Sequence, residues 1–243
     1  MKIRITLEYD GSNYSGWQLQ SGQDSIQARL ETALEQIFRQ KIRVHGSGRT
    51  DAGVHALGQV AAFDLPRPFE PNDLQRAMNS LLPPDIAIVD LRTASDDFDP
   101  RRDARLRIYE YRVINRDRRS PFDFRYAWLV PAPLEFAAMN AGARRFLGEH
   151  DFAAFRSLGS DEKTTVRRIF VSEWRRDGDR FVYRVEATGF MRHMVRTMVA
   201  TMIAVGRGKL APAQITELIE ARDRARVPAS APPGGLFLVE VRY

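Results

Sequence analysis

A glycine-rich stretch at residues 46–55 is the feature that most restricts the fold of this chain. It reads GSGRTDAGVH, with three glycines in its first eight residues. Glycine lets the backbone turn tightly and approach another molecule closely. Apolar runs precede and follow the stretch, which predicts a loop between two β-strands. The loop carries Arg49 and a single carboxylate, Asp51, and a capped turn with a local ion pair would account for both.

The rest of the chain alternates between strand and helix patterns. Residues 2–9 alternate apolar and polar side chains, and residues 105–115 repeat this period of two. The other predicted strands begin at Ile42 or cover 58–65, 86–93, 164–176, 180–188 and 236–241. The predicted helices begin near Asp24, near Asn72 or Asp73 and after Gly189, or cover 134–147 and 212–222. Each half reads approximately as strand, helix, strand, strand, helix, strand, which predicts an α+β fold of two similar α/β units with mostly antiparallel sheets.

A polar loop at residues 94–104 separates the two halves and marks the expected domain boundary. We expect an N-terminal α+β domain at 1–104, which carries the glycine-rich loop, and a C-terminal α+β domain at 105–243. The length of 243 residues is sufficient for two such domains, each with its own core.

The composition excludes several classes of protein. The chain has no cysteine, which rules out disulfides, thiolate metal sites and cysteine nucleophiles and fits a reducing cytoplasm. Its four histidines do not form a two-histidine metal spacing, so we expect no metal. No apolar run approaches the roughly 18 residues that span a bilayer, and the N-terminus enters a strand pattern without a signal peptide. We therefore expect a cytoplasmic protein with no membrane partner.

Basic residues concentrate in one segment. The formal net charge of the chain is +6, and residues 101–125 hold nine arginines against four acids. Arginine binds phosphate through two parallel hydrogen bonds and stacks on nucleobases. The aromatic residues that interleave with these arginines are Tyr109, Tyr111, Phe122, Phe124 and Tyr126. This composition predicts a nucleic-acid surface, and a solvated arginine-rich face is the alternative.

Common cofactor and hydrolase motifs do not fit the glycine-rich stretch. A dinucleotide fingerprint that began at Gly46 would need a third glycine where Asp51 stands, and the stretch lacks the lysine of a phosphate-binding P-loop. The chain has no G-x-S-x-G elbow of a serine hydrolase. A glycosidase pair of carboxylates stays open, although Asp51 is the only acid in the stretch.

Asp51 is the candidate nucleophile. A carboxylate is ionised at neutral pH and can form a covalent adduct with an electrophilic carbon. It needs a cation nearby once water is excluded. Arg192 and Arg196 lie four residues apart on the predicted helix after Gly189, on one stripe beside methionines and valines. An arginine there either pairs with a carboxylate or snorkels at the rim of the apolar face, and both interpretations stay open.

Tyr109 and Tyr111 point to one face of the predicted strand at 105–115. Tyrosines in such positions are usually half-buried residues of a sheet. If that face lines a cleft, one of the two rings could stack on a nucleobase. The alternation of the strand does not decide between these interpretations.

Five motifs resemble, in order along nearly the whole chain, those of TruA-type tRNA pseudouridine synthases. The central one, residues 48–56, reads GRTDAGVHA and is similar to the signature of that family. The others are YDG at 9–11 with GWQ at 16–18, RIYEYR at 107–112, GFMRHMVR at 189–196 and APPGGL at 231–236. The nine-residue signature is highly specific, and five motifs in the same order are not expected by coincidence.

The resemblance implies an enzyme that isomerises uridine to pseudouridine in the anticodon stem-loop of tRNA, at positions 38, 39 and 40, without cofactor or metal. It implies that Asp51 is the catalytic aspartate and that Arg196 is the arginine paired to it. It also implies that Tyr109 packs on the target uracil and that Arg49 takes the place of the flipped base in the stem. Arg192 has no matching role, since that position varies in the family.

The resemblance also implies a homodimer in which one tRNA contacts both subunits, and two mostly antiparallel sheets that join around a central basic active-site cleft. Whether the carboxylate attacks C1′ or C6 of the uridine or assists elimination stays open. Two other functions also stay open at this point. One is an inert RNA-binding or chaperone module on the same scaffold, and the other is a pseudouridine synthase that acts on rRNA.

Overall fold

The structure, a computed structural model, describes residues 1–157, 159 and 164–243. This part of the chain divides into two compact units. The first unit comprises Met1–Arg105 together with Phe237–Tyr243, and the second comprises Leu106–Leu236. The last seven residues, which the sequence assigns to the C-terminal domain, thus belong to the first unit. The reason is a strand pairing, described below, that no local pattern reveals.

The described residues contain ten β-strands and five α-helices. The strands are β1 (Lys2–Tyr9), β2 (His45–Gly46), β3 (His55–Asp64), β4 (Ile86–Ala94), β5 (Leu106–Ile114), β6 (Trp128–Leu129), β7 (Gly148–Asp151), β8 (Val166–Asp177), β9 (Arg180–Ala187) and β10 (Leu236–Arg242). The helices are α1 (Ile26–Phe38), α2 (Pro71–Leu81), α3 (Phe136–Ala143), α4 (Met194–Gly206) and α5 (Gln214–Ala221).

The sheet of the first unit has the strand order β4-β1-β3-β10, and the short β2 pairs with β3. Its pairings are antiparallel except for β3 with β10, where Phe237 lies opposite His55. β1 buries Ile3, Ile5 and Leu7 completely, as its alternating sequence predicts. Helix α2 packs against β4 and α1. The glycine-rich loop therefore leads into a central strand of this sheet.

Helix α1 begins with a different cap from the one expected. The sequence predicts Asp24 as the N-cap, with Gln27 reaching back to it. In the structure Ser25 is the N-cap, and its hydroxyl accepts a hydrogen bond from the N–H of Ala28 at 3.3 Å. Gln27 is buried and donates to the carbonyl of Val44 at 3.0 Å. Aspartate and serine are about equally good caps, so two in succession leave the start of the helix undecided in the sequence.

The strands on either side of the glycine-rich loop differ in length from the prediction. β2 covers only two residues, because the N–H of Val44 donates to the carboxylate of Glu31 at 3.0 Å instead of joining the sheet. β3 begins at His55, three residues before the predicted start at 58. Its early start comes from the parallel pairing with β10, a strand from the other end of the chain.

The sheet of the second unit has the strand order β5-β9-β8-β7, antiparallel throughout, with β6 parallel to β5. Helix α3 packs against α4 and β8. The helix predicted for residues 134–147 is shorter in the structure. Helix α3 covers Phe136–Ala143, and a 3-10 turn at Arg144–Phe146 follows it. Gly148 takes the left-handed conformation, with a φ of 99°. Each unit is thus a mixed α/β unit with a mostly antiparallel sheet, and the predicted fold class is confirmed.

None of the helices in the described ranges is both long enough and apolar enough to cross a membrane. Helix α4 buries most of its residues in the core of the second unit. At 13 residues it is too short to span a bilayer.

Candidate functional site

The four residues that the sequence singles out are divided between the two units. Arg49 and Asp51 lie two residues apart in the loop between β2 and β3 of the first unit. Tyr109 lies on β5 and Arg196 in the first turn of α4, both in the second unit. The structure thus places Arg49 and Asp51 on one loop. The pairing of Asp51 with Arg196 and the packing of Tyr109 on a base stay predictions.

Ser47 and Gln59 hold the start of the loop. The N–H of Ser47 donates to the carbonyl of Val60 at 2.8 Å, and its hydroxyl donates to Oε1 of Gln59 at 2.7 Å. Nε2 of Gln59 donates to the carbonyl of Gly48 at 3.0 Å. Both polar side chains are buried, and buried groups with satisfied hydrogen bonds rigidify their surroundings. The chain therefore leaves β2 in one defined direction.

Thr50, the residue before Asp51, is held through both its side chain and its backbone. Its Oγ1 lies 2.8 Å from the hydroxyl of Tyr9, and its carbonyl accepts the N–H of Trp17 at 3.1 Å. Burial raises the pKa of Tyr9 to about 12, so this hydroxyl stays protonated at neutral pH. These contacts determine where the chain is when it reaches Asp51.

Two glycines near the N-terminus let their backbone lie directly against the loop. Gly16 has a φ of 91°, and a Cβ there would lie 2.5 Å from the carbonyl oxygen of Thr50 and 2.9 Å from the carbonyl carbon of Asp51. A Cβ on Gly11 would collide with the carbonyl of Val54. Only glycine permits such an approach. The YDG and GWQ motifs therefore form a support for the loop that carries Asp51.

The loop ends at a buried histidine. The ring of His55 stacks on Phe237, with 4.6 Å between the centroids. Its Nδ1 lies 3.1 Å from the amide nitrogen of Gly11 and 3.0 Å from Oδ1 of Asp10. Both contacts join the end of the loop to the turn at Asp10 and Gly11.

Asp51 is half-buried, whereas Arg49 is exposed. The carbonyl of Asp51 accepts the N–H of Val54 at 3.1 Å, which closes a tight turn in which Gly53 has a φ of 75°. A carboxylate on a fixed turn can reach a bound molecule in a constant orientation, as a nucleophile requires. The exposed guanidinium two residues away can reach a phosphate or a base.

Tyr109 and Tyr111 differ in burial and in their contacts. Tyr111 is fully buried, and its hydroxyl donates to the carbonyl of Pro232 at 2.7 Å. Burial raises the pKa of Tyr111 above its usual value, and the charge of Arg196 opposes this shift. Tyr109 keeps 9% exposure, and its ring meets Phe190 edge-on at 5.1 Å between centroids. Tyr111 is therefore completely buried and Tyr109 nearly so, and the packing of Tyr109 on a base stays a prediction.

Arg196 forms a reciprocal pair with Ala231. Its Nε donates to the carbonyl of Ala231 at 2.7 Å, and the N–H of Ala231 donates to the carbonyl of Arg196 at 3.1 Å. Arg196 is half-buried, whereas Arg192 is exposed. The predicted helical stripe of the two arginines is wrong, because α4 begins at Met194 and Arg192 lies before it. Arg196 is the one whose orientation the second unit fixes.

The C-terminal motif at 231–236 connects several of these residues. Besides Ala231 and Pro232, its glycines lie against backbone or ring atoms. A Cβ on Gly235 would lie 2.8 Å from the ring of Tyr111, and a Cβ on Gly234 would lie 2.7 Å from the carbonyl oxygen of Arg125. Any residue larger than glycine at these two positions would clash with the neighbouring atoms.

The basic segment at 101–125 runs from the first unit into the second. Residues 101–105 belong to the first unit, and β5 follows in the second. Of the interleaved aromatic residues, Tyr109 and Tyr111 are buried. Phe122 and Phe124 are 87% and 67% exposed. The nucleic-acid surface stays a prediction, and the exposed aromatic rings lie in the last part of the segment.

The sequence did not reveal three residues that position the candidate site. Tyr9 and Gln59 hold the loop through hydrogen bonds to Thr50, Ser47 and Gly48. Ala231 orients Arg196 through its backbone carbonyl. Tyr9 stands in the YDG motif and could have been found from that position. A backbone carbonyl leaves no signal in a pattern of side chains.

The described parts of the chain hold no group of three or more histidine, aspartate or glutamate side chains that could bind a metal ion. The loop around Asp51 offers one carboxylate beside an arginine and a threonine. This set of residues suits chemistry on an organic electrophile, with a cation to balance the carboxylate.

Comparison with known proteins identifies the family. The sequence profile described as tRNA pseudouridine synthase matches residues 5–101 and 143–243. The tRNA pseudouridine synthase A of Myxococcus xanthus is 44% identical over 243 residues, which cover 100% of this chain and 92% of that protein. Proteins of the same name from Geotalea uraniireducens and Solibacter usitatus are 43% and 44% identical and cover 100% of this chain and 99% of each relative. This chain therefore belongs to the tRNA pseudouridine synthase family, a family of isomerases.

Proposed function

We propose that this protein isomerises uridine to pseudouridine in the anticodon stem-loop of tRNA, at positions 38, 39 and 40. Its family and the names of its relatives support tRNA as the substrate. The observation that carries the proposal at the residue level is the half-buried Asp51 on a turn that Thr50 and Gly16 hold from both sides. A rigid, single carboxylate is what this reaction needs from a protein.

The reaction breaks the N1–C1′ bond of uridine and forms a C5–C1′ bond. The hydrogen on C5 leaves as a proton and N1 gains one, so no atom is oxidised or reduced and no water is consumed. Asp51 supplies the nucleophilic carboxylate, whether it attacks C1′ or C6 or assists elimination. Arg196 supplies the opposing charge that keeps this carboxylate ionised in a site without water. The chemistry requires no cofactor and no metal.

Arg49 and Tyr109 bind the substrate. A uridine in a stem must be flipped out of the stack, which costs a few kcal/mol. Arg49, exposed beside the catalytic carboxylate, takes the place of the flipped base and offsets part of this cost. Tyr109 packs on the target uracil with a ring that Phe190 holds from the side. The uracil is thus retained while it rotates between the two bonds.

The protein acts as a homodimer in the cytoplasm, with one tRNA in contact with both subunits. The family resemblance supports this assembly, since the dimer lets one subunit bind a part of the tRNA that the other does not reach. Sedimentation equilibrium is expected to give twice the chain mass of 27.7 kDa. A monomer mass at micromolar concentration would contradict the proposal.

Tritium release tests the reaction. An in vitro transcribed tRNA with uridines at 38, 39 and 40, labelled at C5, loses tritium to water as pseudouridine forms. Carbodiimide modification followed by primer extension then locates the product. We expect product at these three positions with the wild type. We expect Asp51→Asn to lower the rate by about a thousandfold or more, because the nucleophile is removed while the shape is kept.

Asp64→Asn is the matched control, since this exposed aspartate lies at the far end of β3. It should retain the wild-type rate. Product with Asp51→Asn would contradict the assignment of the nucleophile. No product from tRNA with the wild type would contradict the isomerase, and product only in rRNA fragments would assign the activity to another substrate.

A further inference from the structure

Phe122 and Phe124 are the two most exposed large hydrophobic side chains among the described residues, at 87% and 67%. They lie on the segment between β5 and β6, which we call the aromatic loop and define as residues 116–126. Two exposed aromatic side chains only two residues apart in the chain are not explained by the core of the second unit. Exposed apolar groups that lie together mark sites of interaction.

The aromatic loop is built rather than irregular. The hydroxyl of Ser120 donates to Oδ2 of Asp123 at 2.7 Å, and the N–H of Phe124 donates to the carbonyl of Ser120 at 3.1 Å. The carbonyl of Asp123 accepts the N–H of Tyr126 at 2.8 Å. Arg180 of β9 binds the carboxylate of Asp123 at 3.1 Å. The two rings are therefore presented by a fixed turn, and binding would not require the loop to be ordered first.

The charge of the aromatic loop favours a nucleic acid over a protein partner. The loop carries four arginines and two aspartates. Arg116 contacts Asp179 at 3.1 Å and Arg118 contacts Asp117 at 3.6 Å, while Arg118, Arg119 and Arg125 are exposed. The guanidinium of Arg125 lies 5.4 Å from the ring centroid of Phe124. A protein partner would have to strip water from these exposed cations. RNA offers phosphates to the arginines and flat bases to the rings at the same time.

The position of the loop within the second unit connects it with the candidate site. The backbone of Gly234 lies directly against the carbonyl of Arg125, at the end of the aromatic loop. Three residues earlier, Ala231 orients the guanidinium of Arg196. One short segment thus contacts both Arg196 and the aromatic loop.

We propose that the aromatic loop is a second RNA-binding site, at which unpaired nucleobases of the substrate stack on Phe122 and Phe124. The loop's exposed arginines, Arg118, Arg119 and Arg125, bind the adjoining phosphates. This inference rests on the proposed function, which makes RNA the substrate. It adds a site that reads single-stranded nucleotides beside the one that holds the target uridine.

Binding to two synthetic RNAs tests the inference. One is an anticodon-arm hairpin with an unpaired loop, and the other is a duplex of the same stem without the loop. For the double variant Phe122→Ala/Phe124→Ala we expect the Kd for the hairpin to rise by about tenfold or more, as the loss of base stacking predicts. The Kd for the duplex should stay within about twofold. Phe122→Tyr/Phe124→Tyr should restore hairpin binding, because tyrosine also stacks.

Phe170→Ala is the matched control. Phe170 is 48% exposed on β8 of the same unit and also lies near an arginine, with Arg168 at 5.5 Å from the ring centroid. It should leave both Kd values unchanged. Circular dichroism should give all variants the melting temperature of the wild type, because the replaced rings are exposed.

Cross-linking tests the contact directly. Hairpin RNA with 5-bromouridine in its loop, irradiated on the wild-type protein, should attach to the tryptic peptide 120–125, which ends at Arg125. Cross-links confined to other peptides, an unchanged hairpin Kd in the alanine variant, or an equal loss for the duplex would overturn the inference. A change from dimer to monomer with unchanged hairpin affinity would also overturn it and would make the loop a protein interface.

The two proposals fail in different ways. If the alanine variant binds the hairpin weakly but the wild type forms no pseudouridine, the second RNA site stands and the isomerase does not. If the variant forms pseudouridine with the wild-type KM and kcat, the isomerase stands and the second site does not. If both hold, the variant should show a raised KM with a nearly unchanged kcat, because the rings do not touch the target uridine.

Discussion

At the scale of single residues, Tyr9 is the partner on which the position of Thr50 depends. Its buried hydroxyl lies 2.8 Å from Oγ1 of Thr50. Tyr9→Phe removes this hydrogen bond and leaves the threonine hydroxyl with one partner fewer. We expect a loss of about 1 kcal/mol in the free energy of unfolding at pH 7, measured by urea denaturation. We also expect a lower kcat, because the loop before Asp51 loses one of its two anchors.

The same tyrosine makes stability depend on pH. Burial raises the pKa of Tyr9 to about 12, above its value in the unfolded chain. The folded state therefore keeps this proton at a pH where the unfolded chain releases it. The stabilisation is complete below about pH 10 and is lost as the pH rises towards 12. The stability advantage of the wild type over Tyr9→Phe should shrink over this interval, and a constant difference would contradict the assignment.

Gly16 makes a second prediction at this scale. Its φ of 91° is strained for any other residue, and a Cβ would lie 2.5 Å from the carbonyl oxygen of Thr50. Gly16→Ala should therefore lower the free energy of unfolding by about 2 to 4 kcal/mol and should move the backbone at Asp51. Pseudouridine formation should fall more steeply than the melting temperature, because the shift occurs at the nucleophile.

Gly22→Ala is the control for this substitution. Gly22 has a φ of 72°, but open space surrounds the position of its Cβ. It should cost only the backbone strain of about 1 to 2 kcal/mol and leave the activity unchanged. Equal effects of the two alanines on activity would show that the close contact with the loop has no catalytic role.

At the scale of elements, helix α4 and the C-terminal motif act together through Arg196 and Ala231. Arg196→Ala removes the half-buried cation and leaves the carbonyl of Ala231 without this donor. We expect kcat to fall by about a hundredfold or more, because the proposed partner of Asp51 is lost. The free energy of unfolding should fall by about 1 to 3 kcal/mol.

Arg192→Ala separates this effect from a general loss of positive charge. Arg192 lies four residues earlier on the same segment and is exposed. Its removal should change kcat by less than about twofold in single-turnover measurements. If Arg196→Ala also keeps nearly full activity while it stays folded, the proposed ion pair is not what holds Asp51.

At the scale of the whole molecule, the excess of positive charge predicts how the affinity for RNA depends on salt. The formal net charge is +6, and almost all basic residues are arginines. Phosphate contacts release counterions, so the Kd for tRNA should rise linearly with salt on logarithmic axes. We expect about a tenfold or greater rise between roughly 50 and 200 mM salt, measured by filter binding. An affinity independent of salt would contradict binding through phosphates.

The fold class and most of the elements could be predicted from local patterns. Alternation identified β1 and β5, and apolar spacing identified α1, because side-chain periods of 2 and 3.6 residues are properties of the local backbone. The cap of α1 and the length of β2 were predicted wrongly. The cap depended on which of two adjacent capping residues was used, and the strand ended where the N–H of Val44 bonded Glu31, a residue 13 positions away.

The site was predicted in part. The motif around Asp51 could be recognised in the sequence alone. Its glycines were also informative, because a φ near +90° or a close backbone approach requires glycine. The contacts that give this motif its shape join residues far apart in the chain. Tyr9 reaches Thr50 over 41 positions. In the second unit, Tyr111 reaches Pro232 over 121 positions.

Local sequence was therefore sufficient for most of the elements, the fold class and the identity of the one carboxylate in the loop. Tertiary structure alone showed that Tyr111 is more deeply buried than Tyr109, that β10 pairs with β3 in the sheet of the first unit, and that Phe122 and Phe124 are exposed. The physical reason is that burial and pairing depend on which distant segments come together. Period and composition are the same for a tyrosine in the core and for one at the edge of a site.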